Sequence, residues 1–163
     1  MFSEKYERFM SEKFKNFMSR CIGTWDSNRR YYYPKPNKSQ LLTSNLSIQE
    51  VEDYPEYFLY KLSWDTKDSE TKEHVSDGEM LVKGYQLTLE RDVGYFTEEP
   101  TVCNVEVVDD DCIVLRTAYS GMNFREEIRL LEDDTIRLRQ TLGFKDGSNK
   151  PFLYGSYLEE RIN

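Results

Sequence analysis

The sequence predicts a mostly β protein, an antiparallel up-and-down barrel preceded by a single amphipathic helix. Three observations carry this. Apolar residues recur at spacings of three and four only before Gly23. Beyond Gly23 the chain breaks into eight to ten short, alternating segments rich in Tyr, Phe, Val and Ile. The links between those segments are too short to hold crossover helices, which favours consecutive hairpins over an α/β arrangement.

The helix is expected from about residue 3 to 21. Tyr6, Phe9, Met10, Phe14, Phe17, Met18 and Cys21 fall on one stripe of it, and Gly23 supplies the stop. Strands are expected at Trp25–Tyr33, Gln40–Glu52 and Tyr57–Trp64, with a turn at Pro34-Lys35-Pro36-Asn37. Thr66–Gly78 is polar and reads as a link, Met80–Glu90 as one strand, and Gly94-Tyr95-Phe96-Thr97 as a short extra segment before the turn at Pro100. Val102–Val108, Cys112–Ala118, Met122–Leu131, Ile136–Phe144 and Phe152–Arg161 complete the series. Hairpins of similar length close into a barrel more readily than into a sandwich, because closure removes exposed edges. A barrel of this strand number has room for one small ligand, with the helix across one mouth. Residues 1–163 are expected to form one domain.

The totals narrow the function. A net charge of -8 argues against a general nucleic-acid or anionic-membrane surface. No run of eighteen apolar residues occurs, so no membrane span is expected. Three cysteines, Cys21, Cys103 and Cys112, with a single histidine, His74, encourage neither a disulfide framework nor a metal site, and a reducing cytoplasm suits them. His74 sits in the charged link and reads as a solvent-facing residue, while Cys103 and Cys112 read as packing residues. No glycine-rich phosphate motif and no calcium loop is present.

The informative feature is charge on strands that should be half buried. Asn123, Arg125, Glu127 and Arg129 share one face, opposed by Met122, Phe124, Glu126, Ile128 and Leu130. Arg137, Arg139 and Thr141 share a face, as do Tyr157, Glu159 and Arg161. Such faces either meet solvent or line a wet cavity. Arginines inside a cavity would call for an anionic ligand, and their planar forks suit carboxylates.

Several stretches in order resemble the S-type (CpcS/CpeS) phycobiliprotein lyases. They are Gly23-Thr-Trp-Asp-Ser-Asn-Arg-Arg-Tyr-Tyr-Tyr33, Arg91-Asp-Val-Gly-Tyr-Phe-Thr97, Arg116-Thr-Ala-Tyr-Ser-Gly121 with Glu126-Glu127, Ile136-Arg-Leu-Arg-Gln-Thr141 and Tyr157-Leu-Glu-Glu-Arg161. The resemblance spans nearly the whole chain and implies a calycin-type barrel, related in shape to lipocalins and fatty-acid-binding proteins. It implies a linear tetrapyrrole, phycoerythrobilin or phycocyanobilin, as substrate, and thioether attachment to a cysteine of a phycobiliprotein α or β subunit. By resemblance Arg137, Arg139, Thr141, Trp64 and Arg20 would contact the bilin, Arg20 through a propionate. Glu127 and Glu159 would be the catalytic acidic residues, holding protonated ring nitrogens and so making the ethylidene group more electrophilic. A second pocket tryptophan of the family has no counterpart here, and Trp25 reads as structural. A bilin reductase as donor and a homodimer are further expectations from the resemblance, though a barrel this small can also be monomeric. Two other classes stay open: a non-catalytic carrier of a bilin or other carboxylated ligand, and a phycobiliprotein assembly factor without ligand.

Overall fold

The computed structural model describes residues 4–92 and 99–162. Helix α1 (Glu4–Arg20) leads into β1 (Gly23–Tyr33), β2 (Lys38–Asp53), β3 (Tyr57–Asp68), β4 (His74–Tyr85) and β5 (Thr88–Arg91). Then follow β6 (Thr101–Asp109), β7 (Cys112–Tyr119), β8 (Met122–Leu131), β9 (Ile136–Lys145) and β10 (Leu153–Arg161). Each strand pairs antiparallel with its neighbours in sequence, and β10 returns to pair with β1, so the barrel is closed. The expected up-and-down barrel with an N-terminal helix is the fold found.

Two expected boundaries change. The polar stretch 66–78 is mostly strand: β3 runs on to Asp68 and β4 begins at His74, leaving only 69–73 as a turn. Asp68 makes that turn tight by accepting the backbone N–H groups of Glu70 and Thr71. The single strand expected at Met80–Glu90 is two, divided at Gln86, which adopts φ 53°. Side-chain polarity misled in the first case because exposed strand positions tolerate charge. The segment Gly94–Thr97 lies outside the described residues.

Helix α1 has Glu4 and Glu7 in its first turn and Arg20 in its last, both favourable to the helix dipole. Only the C-terminal half of its apolar stripe is buried: Phe14, Phe17 and Met18 pack with Cys21 into the core, while Phe9 is 53% exposed. The buried half sits across the barrel end formed by the β2–β3, β6–β7 and β8–β9 turns. Lys15 reaches Asp53 at 2.7 Å and the Tyr54 carbonyl at 2.6 Å, and Lys13 pairs with Asp110. The core lies directly beneath, with Trp25, Ile48, Phe58, Tyr60, Ile113 and Leu130 inside the strands. Cys21, Cys103 and Cys112 are buried and free.

Arg161 joins the two ends of the chain. It donates to the carbonyls of Arg20 (2.6 Å), Ile22 (2.6 Å) and Asp134 (2.9 Å), and its guanidinium lies 4.3 Å from the centroid of Trp25. The last carbonyls of a helix have no intrahelical partner, so this is a C-cap supplied by the last strand. No described helix is long and apolar enough to cross a membrane.

Candidate functional site

Inside the barrel, beyond the core under α1, lies a cavity of about 310 Å³. Met18 of α1 lines it from below, and its wall passes through Leu46, Leu62, Met80, Val82 and Ile128 to a polar part. That polar part holds Arg29 and Tyr31 on β1, Trp64 and Thr66 on β3, Ser76 on β4, Arg91 on β5, Glu126 on β8, Arg137 and Arg139 on β9, and Tyr157 on β10.

The polar faces of the strands did not all turn the same way. On β9 and β10 they point inward, so Arg137, Thr141 and Glu159 are buried and Arg139 is partly buried. On β8 the apolar face points inward, because Phe124, Ile128 and Leu130 must reach the core and a strand has only two faces. This corrects the expectation for Glu127. It lies on the outer face, 3.8 Å from Arg125 and 29% exposed, and its neighbour Glu126 is the carboxylate inside, 2% exposed.

Glu126 and Glu159 knit the inner arginines together. Glu126 accepts from Arg91 Nη2 at 2.8 Å and from Arg139 Nη2 at 3.0 Å. Glu159 accepts from Arg139 Nη1 at 3.3 Å and lies 3.4 Å from Arg137 Nε. Burial pushes the Glu159 carboxyl up, but Arg139, Arg137 and the Ser27 hydroxyl outweigh it and hold it below the ordinary carboxylate range. Glu159 is therefore an anion at neutral pH.

Among the described residues of this wall, Arg29, Arg91, Arg137 and Arg139 face the carboxylates Glu126 and Glu159. Arg137 is 4% exposed, and its Nε and Nη1 have no hydrogen-bond partner among the described residues. Thr141 Oγ1 is buried in the same condition, across from Glu126 in the β8–β9 register. Buried donors without acceptors cost free energy unless something supplies them. A ligand carrying carboxylates would do so.

The aromatic part of the wall is also shaped. Trp64 lies so close over Gly78 that a Cβ there would stand 2.8 Å from its Cζ2. Gly78 thus lets the indole lie flat against β4. Tyr157 receives the guanidinium of Arg139 at 4.3 Å from its ring centroid and that of Arg29 at 5.2 Å. Trp25, at 0% exposure, donates to the Cys21 carbonyl and is part of the helix junction.

Of the expected site residues, Arg137, Arg139, Thr141, Trp64 and Glu159 come together inside the barrel. Arg20 does not. It is turned to the closed end, where it donates to Asp134 (2.7 Å), Asp111 (2.6 Å) and the Asp110 carbonyl (2.7 Å). The Asp134 and Asp111 carboxylates raise its pKa against the opposing effect of burial, so its charge is already committed. Glu126, Arg91 and Arg29 were not singled out in the sequence. Glu126 had a usable signal, being the one acid in an otherwise apolar alternating row. Arg91 and Arg29 had none beyond membership of the quoted stretches.

Closed strands, a helix across one end and an interior cavity place the protein among small closed β-barrels with room inside. Residues 51–149 match a family described as CpeS-like protein, and the chain belongs to that family. Among its relatives, a putative phycocyanobilin lyase CpcS 2 from Nostoc sp. is 26% identical, over 90% of this chain and 89% of the relative. A putative chromophore lyase CpcV from Picosynechococcus sp. is 27% identical, over 90% of this chain and 80% of the relative. The S-type phycobiliprotein lyase CPES of Guillardia theta superimposes with a TM-score of 0.73 at 19% identity, over 98% of this chain and 97% of that one. Rv2717c from M. tuberculosis shares the fold, with a TM-score of 0.54, 12% identity and coverage of 90% and 95%.

Proposed function

We propose that the protein is a bilin lyase: it takes up a linear tetrapyrrole such as phycoerythrobilin or phycocyanobilin and promotes its thioether attachment to a cysteine of a phycobiliprotein subunit. The observation that carries this is Arg137, buried on the cavity wall with its Nε and Nη1 lacking a hydrogen-bond partner among the described residues. The propionates of a bilin supply such acceptors, and family membership together with the relatives' names points to a bilin.

In this reading Arg137 and Arg139 clamp the propionates, Thr141 donates to the ligand, and Trp64 stacks against a pyrrole ring. Glu159 and Glu126 are the anions available to protonated ring nitrogens, and charge held there makes the ethylidene carbon a better electrophile. The attacking thiol belongs to the acceptor, since Cys21, Cys103 and Cys112 are buried. A cavity of about 310 Å³ is at the low end for ligand sites. It would enclose part of a bilin and leave the reacting ring toward the mouth, within reach of that thiol.

A transfer assay tests the proposal. Purified protein, free bilin and an apo-phycobiliprotein are combined, and the denatured acceptor is read by absorbance. Faster or cleaner formation of the covalent adduct, abolished in Arg139→Ala, is expected. Bilin uptake with no effect on attachment would leave only a carrier.

A further inference from the structure

Arg29 lines the cavity but takes no part in the ion-pair network there. It lies on the inward face of β1 with Trp25 and Ser27, both buried, while Asp26, Asn28 and Arg30 between them are exposed. In the pairing registers it stands between Leu42 on β2 and Tyr157 on β10, and Tyr157 in turn stands beside Arg139 on β9. Its guanidinium lies 5.2 Å from the centroid of the Tyr157 ring, and that of Arg139 lies 4.3 Å from the same centroid. Leu42, on the other side, offers no side-chain acceptor.

A hydroxyl, not a carboxylate, holds this guanidinium. Arg29 Nε donates to Ser27 Oγ at 3.0 Å, and Ser27 is 0% exposed. An N–H group cannot accept, so the proton of that hydroxyl remains available to the Glu159 carboxylate, which Ser27 helps to keep ionised. The two terminal amino groups of Arg29 make no hydrogen bond or ion pair among the described residues. The lumen carboxylates Glu126 and Glu159 are taken by Arg91, Arg137 and Arg139. Burial, Arg139, Arg137 and Ser27 all act on the Glu159 carboxyl more strongly than Arg29 does. Asp26 and Glu160 are close by in the register but lie on the outer face.

A guanidinium fixed at Nε still presents its terminal pair of amino groups end-on, which matches the two oxygens of a carboxylate. Ser27 and the Tyr157 ring set its direction in advance, so little side-chain freedom remains to be lost on binding. Arg139, by contrast, already gives Nη1 to Glu159 and Nη2 to Glu126. A ligand with two carboxylates needs two sets of donors; Arg137 supplies one and Arg29 the second. We infer that Arg29 is a separate carboxylate subsite of the cavity, holding one propionate of the ligand from the β1 side while Arg137 and Arg139 hold the other. This deepens the lyase reading, on which it rests for the ligand, by dividing the two propionates between two places.

The test is a set of absorption titrations with phycocyanobilin, its two monomethyl esters, each leaving a different propionate free, and its dimethyl ester. Arg29→Met should weaken binding of the free acid by roughly tenfold or more, whereas Arg30→Met, on the outer face of the same strand, should not. Once the propionate that meets Arg29 is esterified, Arg29→Met should cost nothing further; with the other one esterified, the full loss should remain. Arg137→Met should show the opposite pattern with the two monoesters. Wild-type affinity of Arg29→Met for all four probes would overturn the inference. So would an equal loss on the acid and the dimethyl ester, which would mean lost packing on Tyr157, or the same monoester pattern in both variants, which would mean one shared carboxylate. The fluorescent fatty acid cis-parinaric acid is titrated alongside. A wild type that takes up no bilin but binds this acid, and loses it in Arg29→Met, would defeat the lyase reading and leave the subsite standing; binding of neither would defeat both.

Discussion

Arg20 and Arg161 at the helix end of the barrel, and Arg137 and Arg139 inside its cavity, are the same residue type used in opposite ways. At the helix end the guanidiniums are spent: Arg161 caps the carbonyls of Arg20 and Ile22, and Arg20 is held by Asp134 and Asp111. In the cavity Arg137 keeps buried N–H groups without a hydrogen-bond acceptor among the described residues. The closed end is built to be stable, whereas in the proposed function the cavity arginine is held for a ligand at a cost in stability. That is how a polar site on a rigid barrel differs from a structural ion-pair cluster.

The sharpest way to break the comparison is to truncate one arginine from each end. Arg161→Ala should destabilise the fold by about 3 kcal/mol, since three charge-assisted bonds to carbonyls and the Trp25 contact are lost together. Chemical denaturation reads this directly. Equal stability in that variant would mean the helix junction is not the anchor described.

Glu159→Gln should come next, costing about 2–3 kcal/mol in a denaturant titration, because Arg137 and Arg139 would then face each other with less compensation. By contrast Arg137→Met should change stability by no more than about 1 kcal/mol in either direction, as a desolvated charge leaves with its contacts. The same variant should lose most of its bilin affinity, and a large stability loss with unchanged binding would reverse the assignment.

Acid sharpens the closed end. Arg20 holds Asp134 below the usual carboxylate range, so its contribution is complete above the ordinary value of 3.8 and is lost as pH falls through the lowered one. The melting temperature of the wild type should therefore drop on acidification in that window, and Asp134→Asn should show a shallower drop. The smallest effect belongs to Thr141→Val, which removes a buried hydroxyl without a hydrogen-bond partner among the described residues. It should be neutral or stabilising by about 1 kcal/mol in thermal melts, and should weaken bilin binding severalfold.

Much of this was legible in the residues, and the misses share one cause. Strand alternation placed Arg137, Arg139, Thr141 and Glu159 on common faces, and the closing of ten strands made those faces internal. Alternation alone does not say which of two faces is inside. On β8 the resemblance favoured Glu127, yet the row Phe124, Ile128, Leu130 had the stronger claim on the interior and carried Glu126 with it. Arg20 was misplaced for a different reason. Its partners Asp111 and Asp134 are about ninety and more than a hundred residues away in sequence, and only closure of the barrel under the helix brings their turns to it. Arg91 likewise meets Glu126 across the lumen, a contact no local pattern encodes.

The central claim is that the cavity arginines bind carboxylates, and the most direct measurement compares a bilin with its dimethyl ester. Both are titrated into the wild type and into Arg137→Met, and the change in bilin absorption is followed. The free acid should bind wild type at least about a hundredfold more tightly than the ester, since charge-assisted bonds to two arginines are at stake. In Arg137→Met that preference should shrink. Equal affinity for acid and ester in the wild type would contradict the account and leave the buried guanidiniums without a purpose in binding.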